Sequence, residues 1–112
     1  MSSRILYQDR AAALSDEALV LRGFTKIIGR PRRVELPRIR SFRVRAANEF
    51  PSEHLPSWGL DDRGVWYTRD PRRWRRQIAI EVTLTNGETV GFTPAHASRF
   101  RDLLLELGVK ES

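Results

Sequence analysis

Cysteine is absent from the 112 residues, which excludes disulfides, thiolate catalysis and cysteine-ligated zinc. No apolar run approaches the ~20 residues of a membrane-spanning helix. The start, Met1 to Arg4, leads into mixed polar sequence and lacks the apolar core of a signal peptide. These absences predict a cytoplasmic protein, and the length predicts one domain covering residues 1–112.

Lysine is scarce as well, since only Lys26 and Lys110 occur and the other 18 basic residues are arginine. The formal net charge is +6, and 13 of the bases lie in residues 30–45 and 63–76, each of which contains a single acid. A guanidinium matches phosphate and carboxylate through its planar fork, so these blocks are suited to polyanions. Solvated strand faces in an arginine-rich composition are the simpler interpretation.

Apolar residues alternate with polar ones through much of the chain, which is typical of half-buried strands. Residues 33–36 and 42–46 show this alternation, and the phase change between them predicts a bulge near Arg40 and Ser41. Residues 9–21 are ambiguous because alanine and leucine also favour helix, but Gly23 and the following sequence favour strands. Residues 48–62 are predicted to form a long loop.

The clearest hairpin follows residues 77–84, where Ile80 and Val82 share an apolar face. A three-residue loop, Thr85 to Gly87, pairs Val82 with Val90 and Ile80 with Phe92, and so keeps the apolar sets on one face. We therefore predict a type I turn with Gly87 in the left-handed conformation.

A helix is predicted over residues 94–107, with Thr93 as its cap and Pro94 in its first turn. Its apolar stripe has helical spacing and consists of Ala97, Phe100, Leu103, Leu104 and Leu107. Gly108 fits the left-handed position after the last turn, which lets Val109 pack back on the helix.

Three stretches together resemble the pleckstrin-homology-like superfold, and bacterial pleckstrin-homology-like domains most closely: residues 19–23, 34–44 and 80–108. The resemblance implies a mainly β fold with one C-terminal α-helix. Two orthogonal antiparallel sheets would form a half-open barrel whose mouth is capped by helix 94–107. Phosphoinositide-binding members carry a basic first turn, whereas Ser15-Asp16-Glu17 is acidic here.

The resemblance also implies a non-enzymatic binding or assembly module. Such a module would engage a protein partner, an identical subunit or a peripheral anionic surface at the inner membrane face, through a sheet edge or basic loops. The alternative is a nucleic-acid-binding protein that uses the arginine-rich segments 30–45 and 69–76. Neither function calls for a cofactor.

Two basic segments are the candidate anion- or partner-binding sites. The first is a loop with Lys26, Arg30, Arg32 and Arg33, for which a solvated hairpin loop is the simpler interpretation. The second is a connector in which an aromatic side chain interrupts four guanidiniums, namely Arg72, Arg73, Trp74, Arg75 and Arg76. Trp74 can stack on a base or lie at a membrane surface, but packing against the barrel is the simpler interpretation.

Catalytic and metal-binding patterns are not found. Trp58, Trp66 and Trp74 are expected to pack in or around the core rather than to line a ligand groove. His54 and His96 are far apart and lack metal-ligand spacing, and His96 is expected to be exposed. Ser52-Glu53-His54 contains triad residue types, but neighbours in sequence rarely satisfy triad geometry. The expected protein is therefore not an enzyme and binds no metal.

Overall fold

The computed structural model describes residues 4–23, 31–46, 59–61, 63–70 and 78–112. The described chain is mainly β, with two sheets and one C-terminal helix. The elements in chain order are β1 (Ile5–Gln8), β2 (Ala12–Ser15), β3 (Ala18–Leu21), β4 (Arg32–Glu35), β5 (Ile39–Ala46), β6 (Gly59–Leu60), β7 (Val65–Tyr67), β8 (Ile78–Leu84), β9 (Thr89–Phe92) and α1 (Ala97–Glu106).

The first sheet is an antiparallel meander with the order β1-β2-β3-β4. The strand interpretation of residues 9–21 is therefore confirmed, and the helix alternative is wrong. Between β2 and β3 the Ser15 hydroxyl accepts the N–H groups of Glu17 (3.1 Å) and Ala18 (3.0 Å). The Ser15 side chain thus satisfies two N–H groups of the tight turn, which favours a turn between two strands over a continuous helix.

The chain passes to the second sheet through a short 3₁₀ helix, Leu36–Arg38, which contains Pro37. Proline has no N–H for a strand ladder, so the first sheet ends here. On β5, Ile39 pairs with Leu84 and Ser41 with Thr83, which leaves Arg40 as an extra residue. The predicted bulge is confirmed.

The second sheet has the order β5-β8-β9-β7-β6. Ile80 pairs with Phe92 and Val82 with Val90, as the apolar pattern predicts. Gly87 has φ +91°, and its N–H donates to the Leu84 carbonyl (2.9 Å). The left-handed glycine at the end of a three-residue loop is thus confirmed.

Two expectations about this sheet are corrected. Residues 59–60, which we expected in a loop, form β6 and pair antiparallel with β7. A two-residue strand has no periodicity to detect, and its turn is closed by Asp61, whose carboxylate accepts the N–H groups of Arg63 and Val65 (2.9 Å each). In addition β7 runs parallel to β9, so the expected all-antiparallel pairing is wrong at this pair.

The helix is shorter than predicted, since α1 begins at Ala97 rather than at Pro94. Thr93 does not cap it, because the Thr93 hydroxyl donates to Asp70 (2.9 Å). The next N–H groups are also taken by distant partners: that of Ala95 donates to the Asp9 carboxylate (2.8 Å), and that of His96 to the Tyr7 hydroxyl (3.0 Å).

The C-terminal end of α1 forms as predicted. Gly108 has φ +85°, its N–H donates to Leu105, and the N–H of Val109 donates to Leu104 (3.0 Å each). These two bonds are the Schellman arrangement that satisfies the last carbonyls of a helix. Val109 is consequently buried in the core.

One hydrophobic cluster joins both sheets and α1. Phe100 is fully buried at its centre and makes edge-to-face contacts with Tyr7 (5.0 Å) and Phe92 (5.2 Å). Leu104 is fully buried beside it, and Leu103 and Leu107 pack against the same cluster. No helix in the described ranges is long and apolar enough to cross a bilayer.

Candidate functional site

The described chain contains two of the nine predicted site residues, Arg32 and Arg33. The other seven lie outside the described residues: Lys26, Arg30, Arg72, Arg73, Trp74, Arg75 and Arg76. Of the three tryptophans, Trp66 is described and packs against the core, as expected. His96 is exposed, which is also as expected.

Arg32 forms a bidentate ion pair with Glu88, with distances of 2.7 and 2.8 Å. The pair joins β4 of the first sheet to the hairpin of the second, since Glu88 lies between β8 and β9. These hydrogen bonds hold the pKa of Glu88 below its usual value and raise that of Arg32. The guanidinium is therefore already matched to a carboxylate and links the two sheets.

Arg33 is more exposed but also contacts acids. Its Nε donates to Glu35 (2.8 Å), and its terminal nitrogen lies 3.7 Å from Glu17. The hydrogen bond to Glu35 raises the pKa of the Arg33 guanidinium. Exposed pairs of this kind contribute little to stability, so Arg33 remains available to a competing carboxylate.

The outer edge of β5 already receives a short added strand. The N–H of Phe42 donates to the Lys110 carbonyl (2.9 Å), and the N–H of Ser112 donates to the Phe42 carbonyl (2.8 Å). Glu111 thereby forms a parallel bridge with Phe42, and an ion pair with Arg101 (2.9 Å) holds it there. The last three residues of the chain thus pair with the middle of this edge.

Beyond this tail the β5 edge has no partner strand among the strands that the structure describes. Hydrogen-bonding direction alternates along an antiparallel strand, so Val44 directs its N–H and C=O outward, as Phe42 does. Within the described part of the chain, no backbone group bonds to Val44 on that side. An outward N–H and C=O at a sheet edge can accept another extended segment.

Three basic residues lie on β5 or directly before it. Arg38, Arg40 and Arg43 are exposed, and none of them forms an ion pair with any described acid. Arg40 is the bulge residue, and Arg43 lies directly before Val44. The edge therefore combines open backbone groups with three cations that have no acidic partner in the described chain. We call Val44 with Arg38, Arg40 and Arg43 the β5 edge site.

A second polar cluster was missed in the sequence. Alternation along β8 puts Glu81 on the face opposite Ile80 and Val82, and its side chain is only 4% exposed. It accepts hydrogen bonds from Arg63 (2.6 Å) and the Tyr67 hydroxyl (2.5 Å), and Arg45 lies at 3.9 Å. Burial, and then the hydrogen bond to Glu81, raise the pKa of Tyr67 far above its usual range.

Gly91 makes this cluster possible. Glu81 and Tyr67 both pair with Gly91, one from each side, so the three lie in a row across β8, β9 and β7. A Cβ at Gly91 would lie 2.5 Å from the Tyr67 ring, so the ring fills the space that a side chain would take. The sequence signal for this cluster is a glycine within a strand. That Gly91 lies between Glu81 and Tyr67 becomes evident only from the register of the paired strands.

Chemically, the Glu81 cluster has the character of a structural anchor, because its charge is matched and its oxygens are bonded. Nor does a metal site form in the described ranges, where no three histidine or acidic side chains gather.

Comparisons with protein-family models, curated proteins and solved structures found no match to the chain. The β5 edge site is thus the candidate that the geometry itself supports.

Proposed function

We propose that the protein is a non-enzymatic binding module, with a pleckstrin-homology-like architecture, that adds an acidic extended segment of a partner protein to β5. The observation that carries the proposal is the strand addition already made there by residues 110–112. The four-stranded meander and the helix packed into the shared core support the architecture. The β7–β9 pair is the element that departs from it.

Backbone pairing provides the first part of the affinity. Each added hydrogen bond contributes about 0.5–1.5 kcal/mol net, so the groups of Val44 alone do not hold a partner. A partner segment therefore has to be longer, so that it either displaces residues 110–112 from Phe42 or continues past them along β5. Strand addition of this kind gives affinity through the main chain and selectivity through alternate side chains.

Charge provides the selectivity. Arg38, Arg40 and Arg43 have no acidic partner among the described residues, so carboxylates on the added segment would find matched cations. Opposite charge also accelerates encounter, and this contribution weakens as salt increases. An acidic segment is therefore favoured over a neutral or basic one.

The arginines of block 30–45 favour this function over nucleic-acid binding. Arg32, Arg33 and Arg45 are each near a carboxylate, which reduces the positive field available to a phosphate backbone. Arg40 and Arg43, which have no described acidic partner, lie on the same strand as the open backbone groups of Val44, and a protein segment can use both features.

The test uses a labelled peptide in which glutamate and valine alternate, with a lysine–valine peptide as control. We expect the acidic peptide to bind, measured by fluorescence anisotropy, and to shift the amide resonances of residues 40–46. Arg43→Glu should weaken binding about tenfold or more, whereas Arg10→Glu, in the β1–β2 turn, should change it little. Val44→Pro should weaken it as well, without removing a bond to β8, because it lacks the outward N–H.

Equal binding by the wild-type protein and Arg43→Glu would refute the proposal, as would amide shifts confined to the first sheet. Random-sequence DNA is the competing ligand. If DNA bound with an affinity that falls steeply with salt while the acidic peptide did not bind, nucleic-acid binding would replace strand addition.

A further inference from the structure

The outer face of the first sheet contains a shallow groove of about 210 Å³. Small side chains form its floor, since Ala13, Ser15, Ala18 and Val20 all line it. An antiparallel sheet with one solvated face normally alternates apolar and polar residues. β3, with the sequence Ala-Leu-Val-Leu, is apolar on both faces, which is typical of a sheet covered on both sides.

The rim of the groove is apolar at one end and basic at the other. Ile5 is 62% exposed and lines the apolar end of the groove. Arg22 is exposed and makes no ion pair with the described acids, and Arg33 lies opposite Val20 in the sheet. A matching surface needs an apolar side chain for the floor, a carboxylate for Arg22, and a carboxylate that competes with Glu35 for Arg33.

α1 of the same chain presents such a surface. Leu105 is 41% exposed, while its neighbour Leu104 is fully buried, so Leu105 lies on the outer side of the helix. Asp102 and Glu106 lie three residues before it and one after it, and both are exposed. Asp102 neighbours both Leu105 and Glu106 on the helix surface, three and four residues away, so the two carboxylates and the apolar side chain form one exposed patch. Arg101 lies 3.7 Å from Asp102 on the same helix.

We propose that the protein self-associates, with Leu105, Asp102 and Glu106 of one copy seated in the first-sheet groove of a second copy. Leu105 would lie on the alanine and valine floor, and the carboxylates would meet Arg22 and Arg33. The contact joins two different surfaces, so it generates a closed assembly or an open chain of copies. This interface is separate from the β5 edge site and does not depend on the function proposed there.

The mass of the full chain in solution tests the contact, by sedimentation velocity over a range of concentrations. We expect the wild-type protein to sediment above the monomer mass as concentration rises. Leu105→Asp and Arg22→Glu should each return it to the monomer. Arg38→Glu, an equivalent charge reversal at the β5 edge site, should leave the association unchanged. Circular dichroism checks that each variant retains its fold.

Complementation between variants is the sharper test. Arg22→Glu retains an intact helix surface and Asp102→Arg an intact groove, so mixing these two monomeric variants should restore association. A wild-type protein that stays monomeric at every concentration overturns the proposal. It is likewise overturned if Leu105→Asp still associates, or if the mixture of variants stays monomeric.

Discussion

Gly91→Ala is a one-carbon change whose effect follows directly from the row of residues across β8, β9 and β7. The new methyl group would lie 2.5–2.8 Å from three atoms of the Tyr67 ring, so the ring has to move. Tyr67 is fully buried, and its hydroxyl donates to the buried Glu81. A shift of the ring therefore also breaks this hydrogen bond.

The expected loss of stability has two parts. Crowding in a packed region costs about 1–3 kcal/mol. Loss of a hydrogen bond to a buried carboxylate costs about 1.5–3 kcal/mol more. We expect Gly91→Ala to lower the free energy of unfolding by about 2.5–6 kcal/mol in total, a large effect for one methyl group.

The background variant Tyr67→Val reverses the sign. Without the ring the methyl group has room, and alanine is better than glycine in a strand by about 0.5–1 kcal/mol because it restricts the unfolded chain more. Gly91→Ala should therefore be neutral or stabilising in that background. Urea unfolding of the four proteins, followed by tryptophan fluorescence, measures the cycle. An equal cost of Gly91→Ala in both backgrounds would refute this account.

Three further predictions concern single residues and pairs. Burial raises the pKa of Asp9, but its hydrogen bonds with Tyr7, Ala95, Ala12 and Ala11 outweigh this and lower it. Asp9 should therefore stabilise the fold fully above its unfolded pKa of 3.8, and this stabilisation should be lost as the pH falls through its folded pKa. We expect the urea midpoint of Asp9→Asn to change less with pH in the acid range than that of the wild-type protein. Parallel pH curves for the two proteins would contradict this. Gly87→Ala should destabilise by about 1 kcal/mol or more, since φ is +91°, and an unchanged melting curve would argue against that strain. A double-mutant cycle of Arg32→Ala and Glu88→Ala should give a coupling of about 0.5–1 kcal/mol in the free energy of unfolding, because both side chains are about one-third exposed. Zero coupling would show that the ion pair does not stabilise the contact between the two sheets.

The sequence predicted best where one face of a strand is buried. The pairing of Val82 with Val90 followed from period-two alternation, because any other register would separate the apolar faces. The burial of Glu81 did not follow, because alternation tells which residues share a face but not what covers it. Gly91, Tyr67 and Arg63 complete that environment from other parts of the chain.

The start of α1 also could not be predicted from local sequence alone. Thr93 and Pro94 are a sound local signal for a helix start, yet long-range partners take the groups that a helix would use. The sequence suggested a sheet edge or basic loops as the binding surface, but it did not indicate β5. The tail that pairs with Phe42 is separated from it by about 70 residues and has no pattern of its own.

The position of Phe100 and Leu104 after all the described strands has a consequence during synthesis. Both sheets and α1 contribute to one cluster, so neither sheet can complete the burial of its inner face until α1 has left the ribosome. Until then the apolar inner faces of the strands are exposed to chaperones or to other unfinished chains. Folding of this domain is therefore expected to be completed only after α1 has emerged.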